Sequence, residues 1–318
     1  MGIRGLNTII KKYSPDSISN NNITKYKNKI FAIDCSILIY KFRYASKNDN
    51  AHLVGIANRI KFYIMNNILP VFVFDGVPPD AKKNTIEKRQ EAKYKLYVKL
   101  EDLQEKEKNS TDEAEKEKLL EDIDKISSQL IVIKKVHIDE CKEFLEKAGI
   151  PYCNAPEDAE KYCAFLQRNG LVDYTVTDDT DSMTFGCEKI IKTNINKEIV
   201  EIDSTKLLND FGMTYDSFVD FCILSGCDYT DTINKVGPVS AYNIIKKHGC
   251  IEKYLENRSV DNFDYLTCRQ IFKEFNYNLP TTKFNIKEIN KDKLVEFLIE
   301  KQMKENVIKK FLKLLIFK

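Results

Sequence analysis

Three short apolar runs in this chain each finish in a carboxylate: IFAID at 30–34, VFVFD at 71–75 and VDYTVTD at 172–178. Runs of this length, rich in β-branched and aromatic residues, read as strands buried on both faces, and such strands belong to parallel sheets covered by helices. Helical patterns separate the runs, for example at 53–65 and 158–167. The alternation predicts an α/β fold with a central, mostly parallel sheet flanked by helices. In sheets of this kind ligands sit in the crevice outside the carboxyl ends of the strands. Asp34, Asp75 and the pair Asp178/Asp179 all fall there.

Further acids gather in APEDAEKYC (Glu157, Asp158, Glu160), in VTDDTDSMTFG (Asp179, Asp181) and in LSGCDYTD (Asp228). Carboxylates crowded into one crevice repel one another, and taking each out of water without a partner costs several kcal/mol. Cations must compensate. Oxygen ligands with no histidine or cysteine set beside them suit magnesium or manganese rather than zinc. The chain has only 3 histidines, which gives little support to a histidine-based hydrolase. A pair of hard ions about 4 Å apart is suited to phosphodiester hydrolysis, where water must be activated and a departing oxyanion stabilised. Taken singly, each acid has a simpler role: aspartates end strands and fill turns, and acids in a first helical turn complement the helix dipole. The strand-end acids together with the Asp179/Asp181 spacing tip the balance towards a metal site. Asp158 and Glu160, two positions apart, fall on nearly opposite sides of a regular helix, whereas Glu157 and Glu160 share a face.

From 81 to 133 the character changes to long charged helices, with Leu96, Leu100 and Leu103 answering Leu119, Ile123, Ile126 and Leu130 at helical spacing. An antiparallel helical hairpin is expected, its turn near Asn109, where Ser110 and Glu113 have the form of a capping box. Its first arm is basic, through Lys82, Lys83, Lys88, Arg89, Lys93, Lys95 and Lys99. The whole chain is nearly neutral, with 50 basic against 48 acidic residues, so a nucleic-acid partner must meet a local patch such as this arm. A final helical region begins at about 215, with loops near 227–238 and 276–285. Nine cysteines, an odd number without a CxxC pair, point to a reducing, intracellular setting, with nucleus and cytoplasm equally open. The start, MGIRGLNTIIKKY, has no signal-peptide run, and nothing approaches the ~20 apolar residues that span a bilayer.

Six blocks then carry a resemblance along nearly the whole chain: MGIRGL, AIDCSILIY, PVFVFDGVPP, IPYCNAPEDAE, TDDTDSMTFG and FVDFCILSGCDYTDTINKVGPVSAYNIIKKHG. In this order they resemble the flap endonuclease branch of the structure-specific 5′ nucleases. The resemblance implies a PIN-like fold in one nuclease domain over 1–318, with halves at 1–75 and 136–214, an arch insertion at 76–135, and a helix–two-turn–helix element with C-terminal helices at 215–318. It implies that Asp34, Asp75, Asp158, Glu160, Asp179, Asp181 and Asp228 hold two Mg2+ ions, for which Mn2+ can substitute. Asp158 stands where the family usually has glutamate, which leaves Glu157 open as a substitute. The hairpin corresponds to the arch that a 5′ flap threads, and Lys82 and Arg89 to its catalytic basic pair. Tyr40 is implied as a stacking platform for a base, and Gly2 and Gly237 as close approaches of the backbone to DNA. Thr232, Ile233 and Val236 are implied as a K+ site.

The chain also departs from the family pattern. Lys235 stands where glycine is usual, and Val239 and Ser240 stand where relatives often carry basic residues. The 46–51 connection is short, which puts a preference for double flaps in question. The C-terminal ENVIKKFLKLLIFK lacks a sliding-clamp motif and reads as an amphipathic helix. The expected activity is cleavage of DNA with a 5′ flap or single-strand/duplex junction, with some 5′ exonuclease action, by a monomer. Alternatives are another branch of the family, whether exonuclease, bubble-cutting repair nuclease or junction resolvase, and a catalytically inactive scaffold.

Overall fold

The computed structural model describes residues 2–46, 48–193, 198–256, 258, 260 and 262–316, with side chains to Lys313. Its strands, in chain order, are β1 (Ile18–Asn21), β2 (Ile30–Asp34), β3 (Leu69–Phe74), β4 (Tyr152–Asn154), β5 (Tyr174–Val176), β6 (Lys189–Thr193) and β7 (Ile199–Asp203). They form one sheet in the order β1-β7-β6-β5-β2-β3-β4. The stretch from β6 to β4 is parallel, while β7 runs antiparallel to both β6 and β1. The third apolar run of the sequence pairs only over Tyr174–Val176, shorter than expected.

The period-two alternation of strands explains the two cores. Phe31, Ile33, Phe72 and Phe74 point to one side, against helices Ala51–Met65, Lys135–Lys147, Lys291–Glu300 and Glu305–Ile316. Ala32 and Val73 point to the other, where helix Ala159–Arg168 lies on the sheet through Ala159, Cys163 and Leu166. Alanine at 32 leaves room for that helix to sit close to the strand. A further apolar core holds the N-terminal helix Leu6–Tyr13 against helices Ser204–Phe211, Tyr215–Ser225, Pro238–His248 and Tyr265–Lys273.

Two features of the topology place the site. β2 lies between β3 and β5, so the chain leaves β2 towards one edge and later returns on its other side. Such a reversal opens a crevice at the carboxyl ends of the central strands. The long helix Lys83–Asn109, 27 residues and roughly 40 Å of axis, then rises from beside that crevice with no buried residue along it. It returns through helix Glu113–Gln129, and Leu96, Leu100, Leu103, Leu119 and Ile123 are half-buried while Ile126 and Leu130 are buried. The hairpin forms as its leucine spacing predicts, but its cap does not. Asp112, not Ser110, caps the second arm, its side chain accepting from Ala114 N at 2.9 Å. Ser110 closes the first arm and donates to Glu115 Oε2 at 2.6 Å. Aspartate and serine cap helices about equally well, and the path of the turn, which leaves Ser110 at the end of the first arm, selects Asp112. The amphipathic C-terminal helix docks through Ile308 and Phe311, and the last two residues expected in it lie outside the described residues.

Candidate active site

Asp34 is the last residue of β2 and also caps helix Cys35–Ala45, its Oδ1 accepting from Ser36 N at 3.2 Å. Its Oδ2 accepts from Thr177 Oγ1 at 3.0 Å, a bond between the ends of β2 and β5. Asp75 follows β3 and accepts from Ala159 N at 2.8 Å, which fixes the start of helix Ala159–Arg168 beside it. Gly76 makes this junction tight: its N–H donates to the Glu157 carbonyl at 2.7 Å, and a Cβ there would stand 2.1 Å from the Ala155 carbonyl oxygen.

The apparent conflict between Asp158 and Glu160 dissolves at the helix end. Asp158 is the N-cap, with extended backbone, and Glu160 is in the first turn. Helical periodicity does not govern the pair, and both reach Lys82 Nζ, at 2.9 Å and 3.7 Å. Glu157 turns away, accepting from Lys161 Nζ and Tyr277 OH, each at 2.8 Å.

Asp179 and Asp181 follow β5, the second opening the short helix Asp181–Thr184, and Asp181 N donates to Asp179 Oδ1 at 3.3 Å. Asp228 lies beyond helix Tyr215–Ser225 and pairs with Arg89 Nη2 at 2.5 Å. Thr85 Oγ1, one turn before Arg89, donates to the Asp228 carbonyl at 2.8 Å. Lys82 and Arg89, at the root of the arch, are thus both laid against the acids. Tyr229, next to Asp228, donates from its hydroxyl to Asp158 Oδ2 at 3.0 Å and closes the ring from the far side.

These carboxylates feel one another. Burial, then the charge of Asp75, pushes Asp34 up to about 7. Burial holds Glu160 well above the ordinary carboxylate range; Lys82 opposes this, while Asp34, Asp158 and Asp179 add to it. Asp181 is likewise held well up by burial and by Asp179 and Asp228, and Asp179 is raised by burial with Asp228 adding to it. Burial alone would lower Lys82, but Glu160 and Asp158 hold it charged and above its usual value. Acids from five separated stretches of sequence therefore share one electrostatic network.

Among the described residues no three of these acids stand close enough, as placed, to ligate one ion together, Asp158 and Glu160 being turned onto Lys82 and Asp228 onto Arg89. The donor set nevertheless fits a hard divalent cation. Every candidate ligand is a carboxylate oxygen, and Asp181 Oδ1 is buried with no hydrogen-bond partner, a costly state that a cation would relieve.

Of the other expected residues, Gly2 lies against the ring. Gly2 has φ +86, and a Cβ on it would stand 2.0 Å from Asp179 Oδ1 and 2.6 Å from Thr180 Oγ1, so only glycine fits. Ile3 N donates to Thr180 Oγ1 at 3.0 Å, Arg4 N to the Gly226 carbonyl at 3.0 Å, and Gly5 packs on Pro238. Tyr40 is half-buried in the helix that Asp34 caps, six residues and roughly 9 Å further along its axis, stacked on Tyr44 at 6.3 Å between centroids. Gly237 caps helix Pro238–His248, and a Cβ there would meet nothing within 4 Å, so that helix start is open. Lys235 adopts φ +62, the left-handed conformation that explains why glycine is usual there. Of the three suggested K+ ligands, Thr232 is exposed, Ile233 half-buried and Val236 buried, and the Ile233 carbonyl already accepts from Val236 N at 3.0 Å. Thr177, Thr85 and Tyr229 were not foreseen. Their only sequence signal is adjacency to the acids in TVTDD and CDYTD and one helical turn's spacing from Arg89.

Comparison with known proteins bears on the whole chain. The XPG N-terminal domain pattern matches residues 1–96 and the XPG I-region pattern residues 149–228. The chain is 34% identical over 336 residues to flap endonuclease 1 of Xiphophorus maculatus, covering 97% of this chain and 85% of the relative. The catalytic core of Rad2 in complex with DNA substrate superimposes with a TM-score of 0.74 at 23% identity, covering 98% of this chain and 100% of that one. Flap endonuclease-1 from Methanococcus jannaschii gives 0.68 at 24% identity, covering 94% and 95%. At those identities the two structures speak for the fold, which is that of the 5′ nuclease cores. Both domain patterns and the full-length similarity lead to one conclusion: the chain belongs to the XPG/flap endonuclease family of 5′ nucleases.

Proposed function

We propose that this protein is a metal-dependent, structure-specific DNA endonuclease that removes 5′ flaps, with 5′ exonuclease action on duplex ends. The observation that carries the reading is the shared electrostatic network of Asp34, Asp75, Asp158, Glu160, Asp179, Asp181 and Asp228, faced by Lys82 and Arg89. These seven acids would hold two Mg2+ ions, or Mn2+ in their place. Ions so held supply an activated water and charge neutralisation at the phosphate. Asp158 is the better candidate than Glu157, because it shares Lys82 with Glu160.

The chain's own residues do the rest. Lys82 and Arg89 already balance the crevice charge, and they take up the phosphate's non-bridging oxygens as the acids are neutralised. Tyr40 offers a face on which any base stacks, worth roughly 1–3 kcal/mol. The main chain at Gly2 brings no side chain between Asp179 and a strand lying over it. The open helix start after Gly237 presents N–H groups to duplex phosphates, and the loop at Thr232, Ile233 and Val236 offers carbonyls to K+. The basic first arm guides the 5′ strand, and the protein acts as a monomer. Cleavage leaves a 5′-phosphate.

The test is a labelled 5′ flap incubated with the protein in magnesium, compared with Asp181→Ala. The variant is expected to bind the flap with unchanged affinity in calcium and to cut at least about 100-fold more slowly, the scale on which perturbed metal sites lose activity. Unchanged cutting by Asp181→Ala would remove the active site from this position.

A further inference from the structure

Two cysteines that the nuclease chemistry does not use face each other beside the acidic ring. Cys227 Sγ lies 4.0 Å from Cys268 Sγ, across 41 residues of sequence. Cys227 immediately precedes Asp228 in the loop after helix Tyr215–Ser225, and Cys268 sits on the buried face of helix Tyr265–Lys273. Both thiols are free. Cys268 is fully buried, whereas Cys227 is half-buried and so the nearer of the two to solvent.

We propose that Cys227 and Cys268 form a reversible disulfide when a peroxide reaches the protein, and that the bond displaces Asp228 and stops cleavage; the second half rests on the role given to Asp228 above. The sulfurs must close from 4.0 Å to about 2.05 Å, so roughly 2 Å must be absorbed by side-chain rotation and by the loop. Gly226, on the other side of Cys227, has φ +113, and as a glycine it has the widest backbone range in the loop through which such a shift can be taken up. Asp228 is the next residue, and a metal ligand tolerates only about ±0.2 Å. Its carbonyl is also bonded to Thr85 and its carboxylate to Arg89, so a shift there reaches the root of the arch.

The chemistry balances with the peroxide as oxidant. The Cys227 sulfur attacks one peroxide oxygen, the O–O bond breaks, and a sulfenic acid forms as the other oxygen leaves as hydroxide and becomes water with the proton given up by the Cys227 thiol. The Cys268 sulfur then attacks the sulfenic sulfur, the S–O bond breaks, and the second oxygen leaves as water with the Cys268 proton. Two thiols are oxidised and one peroxide is reduced to two waters. A dithiol reductant reverses the bond.

The experiment treats the full chain with hydrogen peroxide, blocks remaining thiols, and maps linked peptides by mass while cleavage of a labelled flap is followed in parallel. Expected is a Cys227–Cys268 linked peptide, at least a tenfold loss of cleavage, and recovery of both readouts in dithiothreitol. Cys268→Ala and Cys268→Ser are expected to keep the reduced protein's rate and lose its sensitivity to peroxide. Absence of the linked peptide, or its presence with undiminished cleavage, overturns the proposal. If the reduced protein itself cuts nothing, the nuclease reading fails and the switch with it, while the peptide map still decides whether the bond forms.

Discussion

Asp34 has a carboxyl that burial and the charge of Asp75 raise from 3.8 to about 7. Between those values the folded protein holds a proton that the unfolded chain has released, so the contribution of Asp34 to stability is complete below about 4 and is lost as pH rises through about 7. Glu160, Asp179 and Asp181 are shifted in the same direction. In EDTA, wild type is therefore expected to lose melting temperature relative to Asp34→Asn between pH 5 and pH 8, and magnesium to restore wild type but not the variant. Equal pH profiles for the two proteins in EDTA would contradict this. At this scale the acids were legible because their residue type, position and neighbours were all visible in the sequence. Thr177 was not, since a threonine after a strand means nothing until the ends of β2 and β5 are known to touch.

The arch is tied to the acids at its root, through Lys82, Thr85 and Arg89. Lys82 is almost wholly buried between Asp158 and Glu160 at the start of helix Lys83–Asn109, while the helix above it has no fully buried residue. Removing one partner of a buried ion pair leaves charge uncompensated, typically at a cost of about 3–5 kcal/mol. Lys82→Met is accordingly expected to lower the melting temperature in EDTA by several degrees and to widen the stabilisation that magnesium gives, because ions then become the main compensation for Asp158 and Glu160. Calorimetry of both proteins with and without magnesium checks it, and an unchanged gap would count against the pairing. The hairpin itself was readable from leucine spacing. Its cap was not, because Ser110 and Asp112 both satisfy the local rule and only the path of the turn decides between them. Nor was the reach of Asp158 and Glu160 to one lysine, because helical periodicity stops applying at the N-cap.

Over the whole molecule, the parallel sheet was foreshadowed by its three apolar runs, but β1, β4, β6 and β7 were not singled out. β4 is only three residues long, and β1 (ISNN) is polar at three of its four positions, so neither carries a hydrophobic signature of its own; pairing in the folded sheet defines them. The reversal of strand order at β2 is a long-range fact of the same kind, and it brings acids from residues 34 to 228 to one place. On the function proposed above that convergence serves to hold cations, and diffraction from crystals grown with manganese tests it most directly through the anomalous signal of the metal. The account predicts two peaks about 4 Å apart, one beside Asp75, Asp158 and Glu160 and the other beside Asp179, Asp181 and Asp228. Manganese found only at surface carboxylates, with this crevice still held by Lys82 and Arg89 alone, would contradict it.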